Sequence, residues 1–409
     1  MLRPISQHVL VSIAVLLLMS VASADEPRKI FVTSSSGSAI LGTWPDAGGA
    51  TGLAAGDAIC QARAADAGLA NPGNFVAWLS SENDDAYCRI HGLGGKKTAN
   101  CGQASLPALA GPWMRTDGSP FGEAINRLLA PHFEVYTPAR FDEFGDAVND
   151  ALILATGTSN TGELQQGSCE SWTSDSSSNF VLGGVSDGTI DGWTSSVGTT
   201  CSVSSVRLLC FERLPGSALN RTPATGRLGF VTSATGPGDL SAWPEATVGT
   251  SGIAAGDSIC RNLAAAAGLS QPDRFKAWLS DQTANAAARF GNDGAWVRQD
   301  GVLLAASIAE LTSGRLFTGL AFDEGGNVIT SAESAWTGSF ANGTASTLNC
   351  QNWSSAVASA SGTDGLVGRA GSNWSFFAGR ACNTERRLYC LSDAPPPVEE
   401  IFLDRFETR

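Results

Sequence analysis

The chain has 409 residues, of which 43% are hydrophobic and 16% are charged, and its formal net charge is −13 at pH 7. This apolar content is sufficient to bury cores, which excludes disorder along the whole chain. The acidic balance opposes contact with a phosphate backbone, so we predict no nucleic-acid partner. The length predicts two or three domains.

Residues 1–24 are predicted to form a secretory signal peptide. The single charge of Arg3 precedes an apolar run at 9–18, and Ala22-Ser23-Ala24 fits a small-residue cleavage site. The apolar run is too short for a membrane span with anchoring flanks, and an uncleaved anchor is the alternative. We therefore expect a secreted protein without a membrane span, located in the extracellular space, at the cell surface or in the periplasm.

The rest of the chain contains two copies of one sequence module. The matching segments are 31–34 and 230–233, 54–60 and 254–260, 77–80 and 277–280, 113–118 and 296–301, and 193–201 and 374–382. They predict a first domain at 29–213 and a second at 227–393, joined by a linker at 214–226 without apolar periodicity. Ten of the eleven tryptophans form equivalent pairs, which indicates core packing.

Each copy is predicted to contain helices and short strands. Small residues predict a helix at 54–67 that ends at Gly68, and Gly268 ends its counterpart. Apolar alternation predicts a strand at 75–80. A second helix fits 123–130 in the first copy and 306–313 in the second. The sequence therefore predicts an α+β fold in which helices flank antiparallel strands.

Ten cysteines define the expected covalent framework. Four are common to both copies, and two occur only in the first: Cys60, Cys169, Cys201 and Cys210; Cys260, Cys350, Cys382 and Cys390; Cys88 and Cys101. An even number in an exported chain predicts disulfides, but four cysteines allow three pairings that spacing does not distinguish. Cys88 and Cys101 are expected to bond to each other. Zinc is the alternative, but no C-x-x-C occurs and the second copy has no histidine, so we expect no metal and no cofactor.

The segment 88–101 is a candidate binding loop. It carries Arg89, His91, Lys96 and Lys97, and thus two of the four lysines of the chain. A basic loop held by a disulfide loses less ordering entropy when it binds an acidic partner. The alternative is an insertion whose disulfide only limits proteolysis.

Several motifs resemble those of the endostatin domain and its bacterial relatives. They are the segments 52–69 and 75–80, Trp336-Thr-Gly338, Cys350-x-x-Trp353 and Cys382-Asn383. The resemblance covers both copies nearly end to end and implies two tandem C-type-lectin-like (endostatin-like) domains stapled by nested disulfides. The implied pairs are Cys60–Cys210 around Cys169–Cys201 and Cys260–Cys390 around Cys350–Cys382. The N-terminal zinc-binding histidines of endostatin are missing here and the chain is acidic, so zinc and sulfated-glycan binding are not carried over.

Three short motifs are interpreted as structural. The triplet 271–273 (Gln-Pro-Asp) spells a calcium-lectin motif but lies far ahead of the long loop, so we predict a turn. The segment 184–188 spells the G-x-S-x-G of a nucleophile elbow, but it lies in a Gly/Ser loop. The adjacent carboxylates at 142–143 and 323–324 are predicted to point to opposite faces of hairpin turns, not to form catalytic pairs.

Residues 394–409 are predicted to be a proline-rich spacer and a C-terminal tail. Residues 395–397 are three prolines, which form a stiff extended spacer. The segment 401–407 (Ile-Phe-Leu-Asp-Arg-Phe-Glu) resembles a short tail of exported proteobacterial proteins, which implies a sorting or attachment role. A frayed acidic terminus is the alternative.

These features together predict a secreted, non-enzymatic binding or adhesion protein that recognises an extracellular protein or glycan without a calcium-lectin motif. Binding surfaces commonly lie on loops held by a rigid scaffold, so the site is expected on the loops 157–166 and 338–348 or on 88–101. Trp336 and Asn342 are the candidate ligand-binding residues in the second domain. The alternatives are an enzyme that degrades extracellular polysaccharide or peptide, and a purely structural envelope protein.

Overall fold

A computed structural model describes residues 27–213, 215–291 and 294–393. The predicted signal peptide and the C-terminal tail lie outside the described residues. Each half of the described chain forms one eight-stranded sheet with accompanying helices, so the protein is α+β and contains two similar sheet domains. Within the described residues, no helix is long and apolar enough to cross a membrane.

The first sheet and its helices occupy residues 28–212. The strands are β1 (Arg28–Val32), β2 (Phe75–Ala77), β3 (Trp113–Arg115), β4 (Pro120–Gly122), β5 (Ile153–Ala155), β6 (Phe180–Val185), β7 (Val197–Thr200) and β8 (Arg207–Glu212). The helical segments are α1 (Gly52–Asp66), α2 (Ala86–Ile90), α3 (Ile125–Leu128) and α4 (Cys169–Trp172).

The second sheet repeats this arrangement over residues 227–392. Its strands are β9 (Arg227–Val231), β10 (Phe275–Ala277), β11 (Trp296–Val297), β12 (Leu303–Ala305), β13 (Ser334–Trp336), β14 (Ser361–Leu366), β15 (Ala378–Ala381) and β16 (Arg387–Ser392). The helices and turns that correspond to those of the first domain are α5 (Gly252–Ala266), α6 (Ile308–Leu311) and α7 (Cys350–Trp353). A 3₁₀ turn, Ala286–Arg289, stands where the first domain has α2.

The two sheets have the same strand order. The first runs β4-β3-β1-β8-β5-β6-β7 with β2 also paired to β8, and the second runs β12-β11-β9-β16-β13-β14-β15 with β10 paired to β16. Most pairings are antiparallel as predicted, but β1 pairs with β3, and β5 with β8, in parallel. Parallel neighbours need a long crossover, and the chain between β1 and β3 makes one that contains α1.

The long helices match their predicted positions, and the short elements are shorter than predicted. Gly68 has φ +68° and Gly268 +69°, the left-handed conformation that follows a helix end. The second helices are single turns. Helix α3 ends at Leu128, shortly before Pro131. Proline disfavours helical geometry in the residue that precedes it, here Ala130. Strand β2 ends at Ala77, because the Leu79 amide turns back to the Ala77 carbonyl (2.8 Å) and the Ser80 amide bonds to the Thr156 carbonyl of the loop after β5 (2.9 Å).

Five disulfides close the two domains. They are Cys60–Cys210, Cys88–Cys101, Cys169–Cys201, Cys260–Cys390 and Cys350–Cys382, and no described cysteine is free. In each domain one bond joins the long helix to the last strand, and every other disulfide of that domain lies within the sequence range it closes. These are the nested pairs that the resemblance implied, and the additional bond is the one expected for the first copy.

The Cys-x-x-Trp segments α4 and α7 are left-handed turns. From Cys169 to Trp172 the φ angles are 51–67°, and from Cys350 to Trp353 they are 48–64°. Such a conformation costs roughly 1–2 kcal/mol per non-glycine residue. Both ends are held, because the cysteine is cross-linked and the indole of Trp172 donates to the Ser80 carbonyl (2.9 Å). The tertiary contacts therefore impose a turn that local preference disfavours.

The eleven tryptophans are all core residues, as their pairing predicted. The most exposed, Trp44, keeps only 5% of its surface. Trp78 and Trp193 pack together in the first domain with ring centroids 5.1 Å apart, and Trp278 and Trp374 repeat the contact at 5.1 Å in the second. Because indoles bury a large apolar area, these pairs stabilise equivalent parts of both cores.

The two domains share a packed junction. Phe133 and Ile190 of the first domain belong to a buried apolar cluster of the second. The buried carboxylate of Asp187 accepts from the Arg369 guanidinium at 2.9 Å. The predicted linker is also attached: Arg221 lies over the Tyr136 ring of the first domain (4.4 Å) and donates to a carbonyl of the second. The junction thus fixes the surface that the two domains form together.

Candidate binding site at the domain junction

A pocket of about 570 Å³ opens where the two domains meet, and we call it the junction pocket. Asp150 comes from the first domain, and the other lining residues come from the second: Thr312, Ser313, Gly314, Arg315, Phe340, Ala341, Asn342, Ser372 and Phe376. Three segments of the second domain contribute, namely the turn after α6, the loop after β13 and the segment between β14 and β15. The pocket is therefore complete only when both domains are in place.

Two phenylalanines form the apolar part of the junction pocket. The ring centroids of Phe340 and Phe376 are 4.7 Å apart and the rings are inclined at 35°. Phe340 is 41% exposed and Phe376 38% exposed. Because these rings lie at the surface, their apolar area is in contact with water. A bound ligand can cover that area.

Local structure holds both rings in place. The amide of Phe340 donates to the Thr344 carbonyl (2.9 Å), and Gly343 donates back to the Phe340 carbonyl (2.9 Å), so Phe340 starts a tight turn. Phe376 follows Trp374, which is 1% exposed and anchors the segment in the core. The turn and the buried Trp374 therefore fix the backbone positions of Phe340 and Phe376.

An ion pair between the domains forms one wall of the junction pocket. The guanidinium of Arg315 donates from Nε (3.3 Å) and Nη2 (3.1 Å) to Oδ1 of Asp150, and from Nη2 to the Val148 carbonyl (2.7 Å). Burial raises the pKa of Asp150, and the nearby charges of Arg315 and Arg140 oppose that shift. The lining residues of this wall carry one positive and one negative charge, and the buried Arg140 lies 3.8 Å from the same Oδ1.

Polar atoms without partners complete the pocket. Oδ1 of Asn342 accepts from the amide and hydroxyl of Thr344 (3.1 and 2.7 Å). Four polar atoms make no hydrogen bond to another described residue, and three of them belong to exposed residues: Nδ2 of Asn342, the hydroxyl of Ser372 and Nη1 of Arg315, with Oδ2 of the half-buried Asp150. These atoms offer donors and an acceptor to a ligand in the pocket.

The first domain has no equivalent aromatic pair. The two repeats align at a Thr-Gly dipeptide (156–157 and 337–338) and at a tryptophan (193 and 374). In this alignment Phe340 corresponds to Ser159, Asn342 to Thr161 and Phe376 to Ser195. The same backbone is formed in both domains, so the fold does not require phenylalanine at these positions. The exposed rings are therefore a property of the second domain alone.

The cations of the predicted 88–101 loop are engaged inside the protein. Arg89 is buried and paired with the partly exposed Asp57, a contact that Arg289 and Asp257 repeat in the second domain. Lys96 lies 2.6 Å from Asp85. A basic surface for an acidic partner needs free charges, and these two are neutralised by carboxylates of the same domain.

His91 and Lys97 are also half-buried in this loop. Lys97 donates to the Thr161 carbonyl (2.5 Å) and lies 4.6 Å from the Tyr87 ring centre; burial lowers its pKa, against the charges of Glu163 and Asp85. His91 contacts the Tyr87 carbonyl through Nδ1 (2.9 Å), and burial lowers the pKa of His91. The loop is held against the domain by these contacts.

The two candidates of the second domain have opposite environments. Trp336 is fully buried: its indole donates to the Gly236 carbonyl (3.1 Å) and its ring packs against Trp353. It has no face to offer to a ligand. Asn342 is exposed and lines the junction pocket.

The three short motifs have structural roles. Residues 272–274 form a 3₁₀ turn, as predicted. Ser186 of the G-x-S-x-G segment is fully buried, where its hydroxyl donates to the Asn149 carbonyl (2.8 Å). Oδ1 of Asp142 accepts turn amides while Glu143 bonds to Ser34, and Glu324 bonds likewise to Ser233. Asp142 thus closes its own turn, whereas Glu143 and Glu324 join the turn to the segment that follows the first strand of each domain.

Asp150, Arg315 and Phe376 were not predicted from the sequence, and Phe340 was covered only as part of the predicted loop 338–348. A signal for the two phenylalanines is present in the repeat, because each replaces a serine of the first copy. No such signal exists for Asp150 and Arg315, which are 165 residues apart and meet only through domain packing.

Neither a metal-binding cluster nor a known relative points to a function for this pocket. Among the described residues, no group of three or more His, Cys, Asp or Glu side chains is placed to hold a metal ion. No family model matches the chain, and a search of curated proteins found no match either.

Proposed function

We propose that this protein is an exported, non-enzymatic binding protein with two C-type-lectin-like domains, and that its ligand occupies the junction pocket. The fold assignment is supported by the two similar sheets, by the long helix joined to the last strand in each, and by the nested disulfides. Five disulfides are typical of proteins that mature in an oxidising compartment, which supports export.

The exposed pair Phe340–Phe376 is the observation that carries the proposal. The rings lie in a pocket with unpartnered polar atoms, which is the usual composition of a ligand site. Its volume of about 570 Å³ lies within the range of such sites, ~300–1,000 Å³. The serines at the same positions of the first domain indicate that the rings are not needed for folding.

The repeat supplies a matched pair of variants for the test. Phe340→Ser with Phe376→Ser introduces the residues of the first domain, so we expect an unchanged fold and melting temperature. Phe180→Ser is the control, because Phe180 is 57% exposed on the first domain and its counterpart is Ser361. The full mature chain is applied to arrays of neutral glycans, sulfated glycans, collagen and fibronectin.

We expect wild type and Phe180→Ser to bind the same array member and the double variant to lose that binding. Equal binding by all three proteins would place the site elsewhere and contradict the proposal. Binding to no array member would contradict it as well, and turnover of an array member would favour an enzyme instead.

A further inference from the structure

We infer that the junction pocket binds an uncharged sugar ring, with the apolar C–H face of the ring against Phe340 and Phe376. This inference rests on the proposed function and adds the chemical class of the ligand. It is drawn from three properties of the pocket, namely its aromatic surface, its balanced charge and its mixture of free donors and acceptors.

The aromatic surface requires a ligand with an apolar face. Phe340 and Phe376 together present two partly exposed rings, and covering them removes apolar area from water. The π-face of an aromatic ring is negative, so it attracts the weakly positive C–H groups on one face of a sugar ring. A fully hydrated ion or a small polar molecule without such a face gains nothing from these rings.

The balanced charge disfavours a charged ligand. Asp150 and Arg315 are the only charged residues among those that line the pocket, and they neutralise each other at 3.1 Å. An anion would compete with Asp150 for the guanidinium, and a cation would compete with Arg315 for the carboxylate. The net charge of −13 further opposes the approach of anions.

The free polar atoms require a ligand that both donates and accepts hydrogen bonds. Asn342 offers an amide donor, Ser372 a hydroxyl, and Asp150 an acceptor oxygen. Every sugar hydroxyl is a donor and an acceptor at once, so neighbouring hydroxyls can satisfy all three groups. A purely apolar side chain would cover the rings and leave these groups without partners, which lowers affinity.

The sequence difference between the domains also predicts the stoichiometry. The positions equivalent to Phe340 and Phe376 are serines in the first domain. The corresponding surface of the first domain therefore lacks the aromatic pair. We therefore expect one ligand per chain although the chain has two similar domains.

The test is calorimetric titration of the full mature chain with cellotetraose, maltotetraose and chitotetraose as neutral probes. A heparin tetrasaccharide and a phenylalanine-containing tetrapeptide represent the charged and the apolar alternatives. We expect one or more neutral probes to bind at one per chain, and the affinity to fall about tenfold or more in the Phe340→Ser/Phe376→Ser variant. Asn342→Ala should weaken the same probe by about three- to tenfold, and Phe180→Ser should leave the affinity unchanged.

The outcomes separate this inference from the proposed function. Phe-dependent binding of only the heparin fragment overturns the uncharged class, and Phe-dependent binding of only the peptide overturns the sugar class. Either result leaves the proposed binding function intact. Two neutral ligands per chain, or neutral binding that survives the double variant, overturns the assignment to the junction pocket. If none of the neutral probes binds, the inference is wrong.

Discussion

Gly188 and Arg369 occupy the same position in the two repeats and pair with each other across the domain junction. Each lies five residues before a paired tryptophan, Trp193 or Trp374, and the two form an antiparallel β-bridge. Thr189 donates to the Gly368 carbonyl (2.9 Å) while Ala370 donates to the Asp187 carbonyl (3.0 Å). These reciprocal bonds are the pattern of an isologous contact, in which one surface meets its own copy.

The side chains around this bridge follow the symmetry of the backbone only in part. The carbonyls of Val135 and Leu316 are equivalent, and each accepts from an arginine of the other domain: Arg298 reaches Val135 (3.0 Å) and Arg140 reaches Leu316. The two arginines are not equivalent in sequence, because Ala321 stands where the first domain has Arg140. The two sides of the junction therefore differ in sequence. The junction pocket shows the same divergence, because its two phenylalanines are serines in the first domain.

Removal of Arg369 should destabilise the whole protein. The guanidinium is 8% exposed and its partner Asp187 is 1% exposed, so Arg369→Ala leaves a buried carboxylate without its cation. Loss of one partner of a buried pair costs about 3–5 kcal/mol. The measurement is urea unfolding followed by tryptophan fluorescence.

Arg274→Ala is the control for this variant, because Arg274 is 58% exposed and only 3.9 Å from Asp273. We expect a change below about 1 kcal/mol for that exposed pair. Equal stability of the two variants would show that the Asp187–Arg369 contact does not hold the domains together.

Alanine in place of Gly184 or Gly365 should be poorly tolerated. A Cβ at Gly184 would lie 1.8 Å from the Trp193 carbonyl oxygen, and at Gly365 it would lie 1.9 Å from that of Trp374. The neighbour in each case is backbone, which cannot move aside, so we expect a loss of about 3 kcal/mol or more. Thermal unfolding of the two variants measures this loss.

Gly198→Ala serves as the comparison, since a Cβ there meets nothing within 4 Å. Its melting temperature should equal that of the wild type. Normal stability of Gly184→Ala would argue against the close packing of β6 on the tryptophan segment.

The Cys88–Cys101 bond should stabilise the first domain without being required for its fold. The cysteines are 13 residues apart, and a loop of about 15 residues corresponds to about 3 kcal/mol in the chain-entropy account. The second domain has the same strand order without this bond. Cys88→Ala with Cys101→Ala should lower the unfolding free energy and preserve the circular dichroism spectrum; a disordered product would contradict the expectation.

Acidification should weaken the first domain through His91. Burial lowers the pKa of His91 below its usual 6.5, although the bond to the Tyr87 carbonyl opposes the shift, and its Nε2 is buried without a partner. Between the lowered pKa and 6.5 the unfolded chain binds more protons than the folded one, so stability falls as the pH falls through this range. Unfolding free energies at about pH 7.5 and about pH 5 measure the effect.

His91→Phe keeps the ring contact with Tyr87, whose centre is 5.0 Å away, and removes the titrating group. The variant should lose this part of the pH dependence. An unchanged dependence would assign the acid sensitivity to other groups of the chain.

Local sequence predicted the elements that depend on neighbours in the chain. The helix at 54–67 is visible because small residues favour it and Gly68 ends it, and α1 is found at Gly52–Asp66. The turn at 271–273 follows from proline, which presets the backbone. The lengths of α3 and β2 were overestimated: Pro131 closely follows α3, and after β2 the Ser80 amide bonds to the distant Thr156 carbonyl.

Solvent access of the candidate residues was harder to predict from the sequence. Asn342, which lies on a Gly/Ser loop, is exposed and lines the junction pocket, whereas Trp336 and Arg89 were named on residue type and are buried by the surrounding core. A residue type shows which chemistry is available but not whether solvent can reach it. That property depends on segments far away in the chain, such as the one that carries Gly236, to which the indole of Trp336 is bonded.

By itself, the sequence determined the duplication, the cysteine set and the positions of the long helices, because repetition, residue type and short-range periodicity are properties of the chain. Only the tertiary structure decided that Asp150 meets Arg315, that Gly188 meets its counterpart Arg369, and that Cys169–Trp172 turns left-handed. Each of these depends on packing between segments distant in sequence, where the free energy of many contacts outweighs local preference.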